Sequence, residues 1–343
     1  MIDGAQERLG RIQLFLSRFV PGCALAALVA MSAQFVAEHS QAPAMLMALL
    51  FGMVISFVYE TDPKVRPGID FSATPVLKIG IVLLGVRISA DVAIELGWQT
   101  LSVLIIALIT TMALGVIAGR ILGLDRNFTI LTAGAVSICG ASAALAISSV
   151  LPKSKESENQ LFVTIAGVTA LSTVAMILYP VLLQQFEIGD TLAGKIIGAT
   201  IHDVAQVVGA GFSISEPAGD TATLVKLLRV SLLAPTVIVV ALMMRHRANA
   251  ATADVKHPPI IPPFILAFLI LAALNSVGAI PDGLMEPITT VSRAALLTAI
   301  AAVGLKTNLR QIASVGYKPI ILLVTETIFI AIVGTIGFLI LGR

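Results

Sequence analysis

Apolar runs of about 20 residues, long enough for a helix to cross the hydrocarbon core, recur along this chain. They fall at about 19–37, 43–59, 71–90, 97–119, 128–151, 160–183, 191–213, 221–244, 260–275, 284–305 and 316–341. The expected fold class is therefore an all-α polytopic membrane protein of about eleven transmembrane helices. Composition agrees. Of 343 residues, 57% are hydrophobic and 12% charged, against about 25% charged in a soluble domain. The longest loop, about 245–259, is a polar linker running into Pro258, Pro259, Pro262 and Pro263. No loop has room for a folded domain, so 19–341 reads as a single transmembrane domain and any chemistry belongs inside the bundle or at its rims.

The opening 1–18 reads as an amphipathic cytoplasmic segment and not as a cleaved signal. Ile12, Phe15, Leu16 and Phe19 recur at helical spacing, and Arg8, Arg11 and Arg18 suit anionic headgroups. Lys and Arg in short loops favour the cytoplasmic side. A cytoplasmic N-terminus places Lys64, Arg66, Arg120, Arg126, Arg245, Arg247, Lys256, Lys306 and Arg310 inside, and Glu38, Glu216, Asp220 and Asp282 outside. An odd number of spans leaves the C-terminus outside. The stretch KSKESE at 153–158 is the exception, its lysines offset by glutamates. These basic residues are scattered, which argues against a nucleic-acid partner. Cys23 and Cys139 have no second cysteine at ligand spacing, so no disulfide framework, metal or cofactor is expected.

Within this apolar pattern, TLAGKIIGATIHDVAQVVGAGFS at 191–213 is anomalous, because it carries His202, Asp203 and Gln206 near mid-span. Ionisable groups at that depth face a bundle interior or a water-filled cavity and mark an ion, proton or substrate site. Four-residue spacing puts His202 and Gln206 on one helix face, with Asp203 about 100° away unless the helix breaks. Histidine suits proton coupling. Asp203 suits accepting that proton, fixing the imidazole or binding a cation, and the residues alone do not choose among these roles.

Breaks are expected in two places. GAVSICGASAALAI at 134–147 and GATIHDVAQVVGAG at 198–211 each contain Gly-Ala followed by a hydroxyl residue, Ser142 after Gly140 in one and Thr200 after Gly198 in the other. Glycine permits an unwound turn, and a hydroxyl caps a renewed helix. A half-helix starting inside the membrane offers free N–H groups and a positive dipole end, so it can hold an anion without a buried arginine. The candidate site thus joins His202, Asp203, Gln206 and Thr200 to Ser137, Cys139, Gly140 and Ser142. The alternative reading of such small residues is close helix packing, which is preferred for Gly115 and Gly119. Lys78 is the candidate substrate-facing cation, whereas Lys195, Lys226 and Arg229 are expected to snorkel from span ends. Arg293 and Glu326 are expected to pair with opposite charges or face a cavity.

A further echo links GVRISADVAIELGWQT at 85–100 with GLKTNLRQIASVGYKP at 304–319, aligning Gly85 with Gly304 and Arg87 with Lys306. With the two copies on opposite membrane faces, this suggests an inverted repeat and a secondary transporter working by alternating access. There is no HExxH or GxSxG set, so no enzyme is expected. An ion channel remains the alternative.

The motifs at 134–147 and 198–211, together with GLKTNLRQI at 304–312, resemble YeiH-type bacterial membrane proteins, described as sulfate exporters. The resemblance covers nearly the whole chain. It implies a multi-pass inner-membrane secondary transporter, similar in fold to the cation/proton antiporter and bile-acid symporter superfamily, with a small anion as substrate. Assembly as a homodimer is left open.

Overall fold

The computed structural model describes residues 2–40, 42–87, 90–152, 156–245, 263–307 and 317–341. Sixteen α-helices occur among them. The first third holds α1 (Ile2–Ser40), α2 (Ala44–Val54), α3 (Phe57–Thr61), α4 (Arg66–Phe71), α5 (Leu77–Leu84) and α6 (Ala90–Ile121). A π-helical turn at Ser72–Val76, which contains Pro75, joins α4 to α5, and a 3-10 turn at Gly85–Arg87 follows α5. The middle of the chain forms α7 (Arg126–Ser137), α8 (Ala141–Ser148), α9 (Ser157–Gln185), α10 (Asp190–Thr200), α11 (Val204–Ile214), α12 (Glu216–Ser231) and α13 (Leu233–Arg245). Then come α14 (Pro263–Ser276), α15 (Asp282–Lys306) and α16 (Tyr317–Leu341).

The fold is all-α and polytopic, but the described residues contain 7 stretches long and apolar enough to span a membrane, not eleven. They are Ser17–Ser40, Arg66–Arg87, Leu96–Ile121, Ser157–Gln185, Glu216–Met244, Gly283–Lys306 and Tyr317–Leu341. The other four apolar runs fail for a common physical reason: hydropathy counts side chains and does not register where the backbone stops being helical. The run at 43–59 breaks after α2 at Ile55, that at 128–151 at Ile138, and that at 191–213 at Ile201. Of the run at 260–275, the described residues form the 14-residue helix Pro263–Ser276, shorter than a span. The expected eleven-span architecture, likened to the cation/proton antiporter and bile-acid symporter superfamily, is therefore replaced by a fold with seven long apolar helices. The 85–100 and 304–319 echo lies in part outside the described residues, at 88–89 and 308–316.

Two groups of helices position the site. α15 packs on α2, α5 and α1, while α12 packs on α10 and α11. α9 covers α11, α7 and α8, and α16 lies against α6, α10 and α7. Small residues permit this closeness in α11 and α12, where Gly209, Ala210, Gly211, Ala218 and Ala222 are all buried. At Gly115 an added Cβ would collide with Ala133 of α7 and the Glu326 carboxyl of α16, which supports the packing reading of that glycine.

Candidate functional site

Two interrupted helices meet at the centre of the second group. α7 stops at Ser137, Ile138 leaves helical geometry (φ −121°, ψ −84°), and Gly140 at φ 63° turns the chain into α8. Gly140 is glycine for that reason, because a side chain at positive φ is strained. α10 stops at Thr200, Ile201 and Asp203 are extended, and α11 begins at Val204. The breaks touch: a Cβ placed on Gly140 would lie 3.5 Å from the Cβ of His202.

Stopping a helix leaves its last carbonyls without N–H partners and concentrates negative dipole there. Here α12 supplies both cations that meet this need. Lys226 Nζ donates to the Ile138 carbonyl (2.9 Å) and the Ile201 carbonyl (2.8 Å). Arg229 Nε donates to the Ser137 carbonyl (2.8 Å), one guanidinium nitrogen donates to Ile201 (3.1 Å), and the other donates to Val136. The two are one helical turn apart and so share a face, and both are fully buried. Inserting a Lys or Arg at a helix centre costs roughly 3 kcal/mol, whereas a hydrogen bond to a charged group returns roughly 1.5–3 kcal/mol. Several such bonds per cation make burial favourable.

Lys226 and Arg229 were expected to snorkel, and the structure overturns this. The apolar run opens at 221, which sets Lys226 near its end, but the helix begins at Glu216 behind a Ser215 cap, and the stretch Glu216–Met244 runs on past it. The cations therefore sit deep in the span. Two cations three residues apart in TATLVKLLRVS are the sequence signal that could have found them.

His202 and Gln206 diverge where a shared face was expected, because His202 lies in the break, before α11 begins. His202 is 1% exposed, and its Nε2 lies 2.9 Å from Thr327 Oγ1 on α16. Thr327 donates its own hydrogen to the Leu323 carbonyl (2.7 Å), so its oxygen accepts from Nε2–H. The neutral ring is thereby assigned as the Nε2–H tautomer. Its Nδ1 faces the Val136 backbone carbonyl without a hydrogen bond of full geometry among the described residues. Gln206 donates from Nε2 to Thr173 Oγ1 of α9 (2.7 Å), and its Oε1 is likewise unpartnered among them. Asp203 turns to a third task. Its Oδ1 accepts from the Ala205 N–H (2.8 Å) and caps α11, while its own N–H donates to Ser172 Oγ (3.0 Å).

Of the remaining candidates, Ser137 gives its carbonyl to Arg229 and its hydroxyl hydrogen to Ala133, and Cys139 is buried beside it in the break. Ser142 stands exposed on the first turn of α8. Thr200 donates back to Ile196 within α10 (2.6 Å). Lys78 does not join the site. It is exposed on α5, with its Nζ 5.7 Å from the Phe264 ring centre. Arg293 pairs with Glu216, as an opposite charge was expected to do, whereas buried Glu326 meets the Thr132 hydroxyl at 3.1 Å.

The family model described as "Conserved hypothetical protein 698" matches residues 20–323. The chain is 48% identical over 322 residues to the "UPF0324 membrane protein TauZ" of Paracoccus denitrificans, covering 94% of this chain and 95% of that one. It is 47% identical to a UPF0324 membrane protein of Rhizobium meliloti over 342 residues, covering 100% and 99%. A UPF0324 membrane protein of Chlorobaculum tepidum is 43% identical over 329 residues, covering 96% and 92%. These matches replace the YeiH-type assignment drawn from the motifs. The protein is a bacterial multi-pass membrane protein, and it belongs to the UPF0324 membrane-protein family.

Proposed function

We propose that this protein is a secondary active transporter for a small anion, sulfate or a relative of it, coupled to protons through His202. The observation that carries the reading is the crossing of two interrupted helices with Lys226 and Arg229 buried at their C-terminal ends. Two helix ends of each sign cancel at about half a charge apiece. Two cations against the single carboxylate of Asp203 then leave an excess of about one positive charge. An anion completes that balance. α8 offers it a landing point, since Gly140 provides no side-chain cap and Ser142 stands on the first turn.

His202 supplies the proton position. The buried ring is held at Nε2 by Thr327 and faces the Val136 carbonyl with Nδ1, so a second ring proton has an acceptor there; protonation adds a second positive charge near the anion, and the two ligands assist each other's binding. Sulfate with one proton still carries about one negative charge, which an inside-negative potential drives outward by ~2.3 kcal/mol per 100 mV. Transport by alternating exposure of the crossing suits a site built from packed half-helices better than a continuous pore does. The basic residues Arg8, Arg11 and Arg18 ahead of the first span favour a cytoplasmic N-terminus.

The test is uptake of labelled sulfate into proteoliposomes preloaded with sulfate, with and without an imposed proton gradient. Wild type is expected to exchange sulfate and to respond to the gradient. His202→Gln is expected to keep exchange and lose the response. No flux of sulfate, sulfite or methanesulfonate in wild type, or an undiminished response in His202→Gln, contradicts the reading.

A further inference from the structure

A second charged cluster lies at the other end of α11 and α12. Glu216, the first residue of α12, holds two arginines at once: one carboxylate oxygen bonds Arg87, from the turn after α5, and the other bonds Arg293 of α15. Arg87 is also held by Asp220 of α12 at 3.1 Å. All these arginine and carboxylate groups belong to different helix groups, acids on α12 and bases on the α5 and α15 side. Beside them is a cavity of about 190 Å³ lined by Arg87, Glu216 and Arg293, with Gln34, Thr289 and Phe212 among its other walls.

The geometry points to an anion-binding vestibule in which Glu216 is a tethered occupant that an incoming oxyanion displaces. Three observations carry this. Two guanidinium groups from separate elements converge on one carboxylate, which is how arginine recognises a planar or tetrahedral oxyanion. The carboxylate has a way out: the Glu216 side chain is 42% exposed and that of Arg293 is 56% exposed. The two arginines are also unequally committed. When Glu216 leaves, Arg87 at 21% exposure keeps Asp220, while Arg293 loses its only ion pair among the described residues and faces the cavity as a free cation.

The occupant fits a small oxyanion such as sulfate or an alkyl sulfonate, since the polar ends are cationic and the remaining walls include Met45, Leu84, Leu296 and Leu297. Glu216 is ten residues from Lys226 on α12, about 15 Å along the axis, and Ser215 caps the start of the helix through the Ala218 N–H whether or not the Glu216 side chain is displaced. The proposal does not depend on the reading of the crossing, because its readouts lie at Arg293.

Equilibrium binding of labelled sulfate to the purified full-length protein in nanodiscs at low ionic strength tests it. Glu216→Gln is expected to bind sulfate about tenfold more tightly than wild type, because removing the competing charge leaves Arg293 uncompensated. Adding Arg293→Gln is expected to abolish that gain. Unchanged affinity in Glu216→Gln, or a gain that survives Arg293→Gln, overturns the proposal. A measurement on wild type needs no substitution. Sulfate is expected to slow phenylglyoxal modification of Arg293, followed by peptide mass spectrometry, and neutral dimethyl sulfone is not. Equal modification rates with and without sulfate overturn the proposal independently of how the variants fold. Loss of sulfate exchange in liposomes with Arg293 protection intact would sink the transport reading alone.

Discussion

The two breaks look alike in sequence and differ in structure. Each carries glycine, alanine and a hydroxyl residue, and each ends a helix whose carbonyls meet Lys226 and Arg229. On the restarting side they part. α11 begins under the carboxylate of Asp203, which takes the Ala205 N–H, so its positive end is already occupied by an anion belonging to the chain. α8 begins at Gly140, which has no side chain to cap it, and its first turn meets only the neutral Cys139 thiol, at the Ala143 N–H. One positive end carries a carboxylate and the other does not, so on the proposed reading a bound anion goes to α8 and α11 is a framework element. The hydroxyls at matched positions divide likewise: Thr200 bonds back into α10, while Ser142 is exposed at the head of α8.

The largest effect is expected where the two breaks depend on a common group. Arg229→Leu leaves the Val136 and Ser137 carbonyls buried without their cation and should cost about 3–5 kcal/mol, read as a large fall in the detergent unfolding midpoint together with loss of sulfate exchange. Retained stability would mean that the breaks hold themselves open unaided. A smaller effect follows from removing the carboxylate at the start of α11. Asparagine caps a helix as well as aspartate does, so Asp203→Asn should leave stability within about 0.5 kcal/mol. By removing the resident charge, it should also tighten sulfate binding about tenfold, ~1.4 kcal/mol. Weaker binding in Asp203→Asn would show that the α11 carboxylate serves the substrate directly and that the contrast between the breaks is wrong.

The places where the chain breaks were legible in advance because glycine, alanine and hydroxyl residues crowd 134–147 and 198–211, and His202 stood out as a titratable group in an apolar run. The number of spans was not legible. A run broken at Ile138 or Ile201 has the same hydropathy as an intact one, so apolar counting overestimates spanning helices. The cations were misjudged through a boundary. The polar start EPAGD hides the first turn of α12, and this moved Lys226 and Arg229 from the middle of the helix to its edge on paper. Lys78 failed for the opposite reason: it lies well inside an apolar run, yet α5 presents it outward beside Phe264. Asp203 and His202 could not be given separate roles until the break removed the helical register between them and brought in Thr327, Ser172 and Thr173 from α16 and α9.

The most direct measurement is a structure of the protein with selenate, a sulfate analogue whose selenium scatters anomalously. The account places an anomalous peak at the first turn of α8, within hydrogen-bonding distance of the N–H groups of Ala141 and Ser142, with no peak at the Asp203-capped start of α11. A peak on α11, or a crossing without selenate at saturating concentration, contradicts it.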